Sequence, residues 1–195
     1  MLVLALLALV CGSSCSARRC GDLPKVDAKT IVPPKVRPSV DYEVRYNLLS
    51  DSDHQAEWLR GHVDKVFQES GFFSRVSRSE GAGDYHFRVH YLDEELRPEN
   101  SPDAIGAGLT LGLIPLKHKG EVALRVEVSR KGKVLRTYAY SANVEISCWT
   151  VIGWVGVAYQ SQAVANELID DMLLSLLADL SRDRLLEAPA SAGPQ

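Results

Sequence analysis

Hydrophobic runs long enough to span a membrane, clusters of basic residues and the short motifs of common enzyme classes are all missing from this sequence. The chain has 195 residues and a formal net charge of −3. No stripe of lysine and arginine stands out, which argues against a nucleic-acid partner. The sequence contains no H-E-x-x-H, C-x-x-C, G-x-S-x-G or G-x-x-x-x-G-K-S/T pattern, so zinc proteases, dithiol sites, serine esterases and P-loop enzymes have no support. We therefore expect no cofactor, no metal site and no catalytic residues.

The start of the chain is typical of an export signal. Residues 2 to 10 are all apolar, and no charged residue occurs before Arg18. This run is too short to cross a bilayer as a helix, because a transmembrane helix needs about 20 residues. Small residues follow it at positions 12 to 14. An apolar run followed by small residues indicates the central and cleavage regions of a signal peptide.

Cys15 directly follows three small residues, the first of which is Gly12, and this arrangement resembles a bacterial lipoprotein signal. In such signals the cysteine becomes the lipidated first residue of the mature protein. The usual pattern has leucine where this chain has Gly12. Cys11 is the alternative lipidation site, although the branched residue Val10 precedes it, where a small residue is expected.

The resemblance implies a protein held in the bacterial cell envelope by fatty acyl chains such as palmitate. Its partner would then be the membrane, reached through the lipid anchor. Ser16 follows Cys15, and a residue other than aspartate at this position favours the outer membrane, with the domain facing the periplasm. Two other outcomes remain open from the sequence: a secretory signal cleaved near Ala17, or no export.

A proline-rich linker and a tail of small residues bound the predicted domain. Residues 18–40 contain four prolines among basic residues and show no apolar period, which indicates an extended tether. Residues 1–17 would then be the signal peptide and residues 41–187 a single domain. Residues 188–195 are predicted to be a disordered tail.

Two cysteines would remain in the mature protein if Cys15 is lipidated and the signal is removed. These are Cys20 and Cys148, which could form a disulfide in an oxidising periplasm and so tie the tether to the domain. The alternative is that Cys148 is a buried thiol at the end of a strand.

The hydrophobic pattern of the domain predicts an α+β fold. Alternation of apolar and polar residues predicts strands, and apolar residues three and four positions apart predict helices. The order of these elements favours a mostly antiparallel sheet of about five strands, with two helices packed on one face and a first β-α-β unit that could be parallel. The predicted strands are residues 42–48, 74–79, 85–91, 122–128 and 134–148, and the predicted helices are residues 53–69 and 162–186.

Two uncharged segments that contain glycine, residues 104–116 and 149–159, are the most unusual feature of the predicted domain. Each adjoins one strand of the same hairpin, so the two could lie side by side at one end of the sheet. We interpret them as an apolar contact surface for a lipid, the membrane or another envelope protein, while the alternative is that they close the core. The residues of this predicted apolar contact surface are Leu109, Leu111, Leu113, Ile114, Trp149, Ile152, Trp154, Val155 and Tyr159.

Residues 108–115 read GLTLGLIP and precede a V-x-L-x-V-x-V strand, a glycine turn, a strand that contains tyrosine, and Trp149. Together with the lipoprotein-type signal, this pattern resembles a group of uncharacterised proteobacterial lipoproteins. The resemblance spans about residues 42–186, of which residues 108–149 are distinctive. It implies an envelope lipoprotein to which no catalytic residues are assigned, and we expect a non-catalytic binding or assembly module.

The histidines and carboxylates give no positive indication of catalysis. His86 and His90 share a strand face with Arg88, and the two histidines are about 13 Å apart at ~3.3 Å per residue, which is too far to bind one metal ion. We expect a solvated face there, and another on the last helix for the carboxylates at positions 167 to 171. A soluble exported enzyme would need these groups in one cleft, and a structural component of an envelope complex is the third hypothesis.

Overall fold

The structure, a computed structural model, describes residues 15–21, 23–46, 53–78, 81–94, 116–148 and 154–187. The described residues form six strands, two α-helices and two short 3-10 helices. The strands are β1 (Cys15–Cys20), β2 (Ser39–Tyr46), β3 (Arg75–Ser77), β4 (Tyr85–Glu94), β5 (Leu116–Arg130) and β6 (Lys133–Cys148), the α-helices are α1 (Asp53–Glu69) and α2 (Trp154–Arg182), and the 3-10 helices are Ala28–Thr30 and Leu185–Glu187.

The six described strands form one mixed sheet in the order β1-β6-β5-β4-β2-β3. Strand β2 is parallel to both β3 and β4, whereas β1 is antiparallel to β6. The predicted α+β class and the parallel β-α-β unit are confirmed, but the prediction of a mostly antiparallel sheet of about five strands is wrong. The connection through α1 carries the chain back along the sheet, so β3 and β4 run in the same direction as β2.

The sixth strand, β1, comes from residues that the sequence assigns to the end of the signal and the start of the tether. Its register pairs Cys15 with Cys148 and Cys20 with Asn143. The local sequence CSARRC has no apolar alternation that would predict a strand. The strand therefore depends on pairing with β6, which lies far away along the chain.

Part of the predicted tether also packs on the protein. The Ser181 hydroxyl near the end of α2 donates a hydrogen bond of 2.9 Å to the carbonyl oxygen of Val32. Pro34 and Pro38 are buried. Residues 32 to 38 are therefore attached to the fold at Val32, Pro34 and Pro38, while most of the side chains between them are exposed.

The chain divides into two compact units, and β4, β5, β6 and α2 each contribute to both. Of the described elements, unit 1 contains β1, the last two residues of β4, the first part of β5, the last part of β6 and the first part of α2. Unit 2 contains β2, α1, β3, β4 up to Leu92, the second part of β5, the first part of β6 and the end of α2. The polar cluster described below lies within unit 2.

Aromatic side chains dominate the core of unit 2 on the face of the sheet that α1 covers. Phe87 of β4 is fully buried, and its ring centroid lies 5.5 Å from that of Phe67 in α1 and 5.7 Å from that of Phe73. Trp58 of α1 meets the ring of Tyr91 edge to face at 5.9 Å. Such contacts bury large apolar areas and hold the helix on the sheet.

The end of α2 covers the same layer through hydrogen bonds to tyrosines of β6. The hydroxyl of Tyr138 donates to Asp183 at 2.9 Å, and the hydroxyl of Tyr140 donates to Asp179 at 2.8 Å. Burial, followed by the bond to Asp179, raises the pKa of Tyr140 far above its usual range. Both tyrosines therefore stay neutral donors, so the rings pack in the core while each hydroxyl keeps a partner.

Helix α2 begins at Trp154, eight residues before the predicted start, so residues 154–159 are helical and not part of a loop. The glycines in this segment indicated a loop, but a single glycine in a helix costs only about 1 kcal/mol relative to alanine. A helix of 29 residues with a long buried stripe can offset that cost. Among the described residues, no helix has both the length and the low polarity needed to cross a membrane.

Candidate functional site

Most of the predicted apolar contact surface cannot be located on the fold. Residues 109–114, together with Trp149 and Ile152, lie outside the described residues. Trp154, Val155 and Tyr159 fall in the first turns of α2, of which the backbone is described. The apolar contact surface therefore stays a prediction.

The cysteines occupy different positions along the β1–β6 pair. Cys11 lies outside the described residues, and Cys15 stands opposite Cys148 at the start of β1. Cys20 has a free thiol and stands opposite Asn143. Since Cys20 and Cys148 are five register positions apart, roughly 17 Å at ~3.4 Å per residue, this arrangement does not favour a disulfide between them. Their pairing stays a prediction.

An ion pair fixes β1 against β6. The Arg18 guanidinium donates to Glu145 Oε1 at 2.8 Å, and only 9% of Glu145 is exposed. The Cys20 Sγ lies 4.0 Å from the other carboxylate oxygen, Oε2. A buried carboxylate needs such partners, because an unpaired buried charge is strongly destabilising.

The second face of the sheet in unit 2, which we call the open face, is polar. Its side chains alternate along β2, β4 and β5 with the residues that face α1, as strand geometry requires. The described parts of both helices contact the other face. The residues of the open face are Asp41, Glu43, Arg45, His86, Arg88, His90, Arg125, Glu127 and Ser129.

The open face is ordered in three rows that run across the strands. The parallel register of β2 and β4 places Asp41 opposite His86 and Arg45 opposite His90. On the other side of β4, the Ser129 hydroxyl donates to the carbonyl of His86, and Arg88 pairs with Glu127. As the β4 residue advances from His86 to Arg88, its β5 partner steps back from Ser129 to Glu127, as expected for antiparallel strands. The same register places Arg125 opposite His90.

In the first row, Asp41 is buried and holds the ring of His86. The Nδ1 atom of His86 lies 2.5 Å from Asp41 Oδ1, and the backbone N–H of Gly83 donates to Oδ2 at 3.0 Å. Only 1% of Asp41 is exposed. An ionised carboxylate can only accept hydrogen bonds, so with Asp41 ionised Nδ1 of His86 is the donor.

Gly83 is the residue that closes this row. A Cβ atom added at Gly83 would lie 2.6 Å from the backbone nitrogen of Asp41 and 2.8 Å from the carbonyl carbon of Val40. The turn between β3 and β4 therefore passes directly against the backbone of β2, which only glycine allows. This close approach buries Asp41.

The other ring nitrogen of His86 has no partner among the described residues. Its Nε2 is buried, although a fraction of the ring remains accessible. A buried polar atom without a hydrogen bond is costly, so Nε2 is the one position in the row where a water or ligand atom would be stabilising.

The second row is a carboxylate–guanidinium–carboxylate arrangement centred on Arg88. Its Nε donates to Glu43 Oε1 at 2.7 Å, and its Nη1 lies 3.6 Å from Glu127 Oε2. Burial disfavours the charged form of Glu43, but the hydrogen bonds from Arg88 and Arg45 outweigh it and hold the pKa of Glu43 below its usual value. Glu43 therefore stays charged at neutral pH and continues to hold Arg88.

The third row places three basic side chains side by side. Arg45 and Arg125 flank the half-buried His90, and their side chains are 59% and 55% exposed. Burial lowers the pKa of His90, Glu127 opposes this, and the positive charges of Arg45, Arg88 and Arg125 lower it further. Burial and the neighbouring arginines therefore favour the neutral form of the His90 ring.

A separate ionic cluster joins the two helices. His62 Nδ1 of α1 lies 2.7 Å from Asp170 Oδ1 of α2, and Lys65 donates to Asp170 Oδ2 at 3.0 Å. Burial alone would raise the pKa of Asp170, but the bonds from His62 and Lys65 lower it. Local sequence patterns do not predict this contact, because Asp170 is 108 residues away from His62 along the chain.

The expected solvated face at His86 and His90 is thus a set of half-buried groups with specific partners. Alternation along each strand indicates which residues share a face, but the rows depend on the register between strands. Nothing in the local sequence showed that Asp41 and Ser129 flank His86. Among the described residues, no group of three histidine, cysteine, aspartate or glutamate side chains is arranged to hold a metal ion.

Solved structures show where this fold occurs. No family model and no curated protein sequence matches the chain. A Helicobacter pylori protein, described as a homologue of neuraminyllactose-binding hemagglutinin, has a TM-score of 0.51 at 9% identity and covers 86% of this chain and 97% of its own. That likeness is one of fold alone.

Two further solved structures have lower TM-scores. A DUF330 protein from Xanthomonas campestris has a TM-score of 0.49 at 11% identity and covers 78% of this chain and 91% of its own. Rare lipoprotein B from Shewanella oneidensis has a TM-score of 0.41 at 11% identity, with 75% of this chain and 94% of its own covered. The solved structures similar to this chain thus include a protein named as a lipoprotein.

Proposed function

We propose that this protein is a membrane-anchored lipoprotein of the bacterial envelope, and that its domain is a non-catalytic binding or assembly module facing the periplasm. The anchor is Cys15, with Cys11 as the alternative. Support for the anchor comes from the apolar start of the chain and the small residues before Cys15. The outer membrane is the proposed location, because Ser16 and not aspartate follows the anchor.

The observation that carries the binding role is the open face. A sheet that is covered by helices on one face can leave its other face in contact with water, and scattered charged side chains are enough to keep that face soluble. This face instead carries nine polar residues in three cross-strand rows, with a buried carboxylate, a shared guanidinium and an orphan ring nitrogen. Such ordering of polar groups is more than solubility requires, and it presents fixed donors and acceptors to a partner.

The anchor is tested by expressing the full chain in a bacterial host and measuring intact mass after detergent extraction. We expect a mass that begins at Cys15 and includes a diacylglyceryl group and an acyl chain. Cys15→Ser should abolish this mass and move the protein out of the membrane fraction, whereas the matched variant Cys20→Ser should behave as wild type. A lipid-free mass that begins near Arg18 would reject the anchor.

The binding role is tested by crosslinking in intact cells. Variants of the open face that keep the fold, such as Arg45→Gln and Arg125→Gln, should lose crosslinked partners that Arg136→Gln on the helix side retains. Identical crosslinking patterns for all three variants would show that the open face does not bind the partner. The apolar contact surface would then be the remaining candidate for the binding role.

A hydrolytic activity is the second candidate, favoured by the first row alone. A histidine ring held by a buried aspartate, with a free Nε2 and a serine on the next strand, has the parts of a nucleophile and its base. The Ser129 hydroxyl, however, donates to the His86 carbonyl at 3.2 Å and not to its ring. Labelling of Ser129 by a fluorophosphonate probe, lost in His86→Asn, would establish this activity, and no labelling would reject it.

A further inference from the structure

We propose that the third row of the open face, formed by Arg45, His90 and Arg125, is a binding site for a phosphate-type oxyanion. The proposal names a ligand class for the open face. It rests on the proposed binding role of that face and does not depend on the lipid anchor.

The charge balance around this row is the first argument. Arg45 Nε and Arg88 Nε both bond to the same oxygen of Glu43, each at 2.7 Å. Glu127 is likewise divided, with one oxygen 3.2 Å from Arg125 and the other 3.6 Å from Arg88. Among these five groups, three guanidinium groups therefore share two carboxylates, so their charges sum to +1.

The order of the groups is the second argument. Both carboxylates lie in the second row with Arg88, so the third row contains basic groups alone. Arg45 on β2 and Arg125 on β5 lie on either side of His90, so an anion bound above His90 would be attracted by both guanidinium groups. The glutamates hold one side of Arg45 and one side of Arg125, and this orients the guanidinium groups without covering them.

Accessibility and donor geometry favour an oxyanion as the occupant. More than half of each flanking arginine side chain is exposed, so a ligand can approach the row from solvent. Guanidinium groups donate in pairs to tetrahedral oxyanions. Strand spacing places the two arginine Cα atoms on either side of His90, about 10 Å apart, so both can reach one phosphate group. The phosphate could belong to a free anion or to a lipid headgroup.

Binding at this row should be linked to a proton on His90. The charged groups that act on His90 are Arg45 from β2, Arg88 on β4 itself, and Glu127 and Arg125 from β5. Burial and the arginines favour the neutral ring, whereas a bound anion would favour the protonated ring. The pKa of His90 should therefore rise when phosphate is bound.

The test uses the full chain with Cys11→Ser and Cys15→Ser, labelled at histidine and observed by NMR during titration with inorganic phosphate between pH 5 and 8. We expect the His90 resonance to shift with saturation and its pKa to rise. Arg45→Gln and Arg125→Gln should each weaken binding by about tenfold, the usual effect of losing one charge-assisted contact. Arg136→Gln, an exposed arginine on the helix side, should bind as the parent chain does.

Vesicle flotation then distinguishes the source of the phosphate. One supporting outcome is binding to vesicles that contain phosphatidic acid but not to vesicles of phosphatidylcholine alone. If both arginine variants lose this vesicle binding, the ligand is a lipid headgroup. Phosphate binding without vesicle binding would support the proposal with a free anion as ligand. If phosphate leaves His90 unchanged in a folded protein, or if Arg136→Gln weakens binding as much as Arg45→Gln, the proposal is wrong. Because the chain carries Cys11→Ser and Cys15→Ser, neither outcome depends on the anchor.

Discussion

The two faces of the sheet in unit 2 are built from alternate residues of the same strands, yet they are stabilised in different ways. On the helix side, Phe87 is fully buried among aromatic rings. One residue further along β4, Arg88 points to the open face and is held by two carboxylates at the surface. Moving along the chain by a single residue thus changes the environment from packed core to solvated ion pairs.

This difference separates the stability of the fold from its capacity to bind. Burial of a large aromatic side chain contributes several kcal/mol, whereas an accessible ion pair contributes about 0–1 kcal/mol. The helix side can therefore hold the fold with little help from the open face. Polar residues on the open face are then free to serve a ligand at small cost to the fold.

The largest expected effect is on the helix side, from Phe87→Ala. Removing a fully buried ring should lower the free energy of unfolding by about 3–5 kcal/mol. Arg88→Ala, its neighbour on the open face, is the matched control and should cost about 1 kcal/mol. Urea denaturation followed by circular dichroism measures both. Equal losses would show that the open face contributes to stability as much as the core does.

The second prediction concerns the exception on the open face, Asp41, which is as buried as a core residue. Asp41→Ala would leave the Gly83 N–H and the His86 ring without an acceptor, so we expect a loss of about 2 kcal/mol. The control is Glu43→Ala, two residues along the same strand, with an expected loss of about 1 kcal/mol. If denaturation gives the two variants the same stability, burial of Asp41 has no energetic consequence.

The third prediction uses pH to test the cluster between the helices. Since the pKa of Asp170 is lower in the folded state than its usual value of 3.8, its contribution is complete above that value and is lost as the pH falls through the folded pKa. Asp170→Asn should therefore cost about 1 kcal/mol at pH 7, a modest figure because solvent screens the partly exposed group. The difference from wild type should shrink as the pH falls below 3.8 and Asp170 becomes protonated in the folded protein. A constant difference across this range would contradict the assigned ionisation.

The smallest expected effect is Glu43→Gln on the open face. This change removes a charge shared by Arg45 and Arg88 but keeps the shape of the side chain, so the free energy of unfolding should fall by only about 0.5 kcal/mol. Thermal unfolding at low and high salt measures it, and the difference should shrink as salt screens the pair. A loss above 2 kcal/mol would mean that the second row is part of the structural core.

Sequence patterns predicted the elements whose signals are local. Helix α1 has the predicted bounds of residues 53–69, because its apolar residues follow the helical period. The turn between β5 and β6 was also predicted, and Lys131 and Gly132 there have the positive φ angles of a tight hairpin turn. Such features need no knowledge of distant partners.

Features that depend on distant partners were not predicted. Strand β1 was assigned to the signal and tether, and the His62–Asp170 contact was missed, because each involves residues more than a hundred positions apart. The three rows of the open face need the register between strands, which period-two alternation does not supply. The apolar contact surface and the lipidation of Cys15 remain predictions.

The pairing of β1 with β6 has a consequence for how the chain reaches its final state. Arg18 and Glu145 are separated by 127 residues, so their contact carries a large entropy of loop closure and belongs to the slow, non-local part of folding. A chain synthesised from its N-terminus must wait until residues 143–148 emerge before this strand finds its place. Until then its backbone groups can pair with those of other chains. Refolding yield should therefore fall with protein concentration until this last pairing is made.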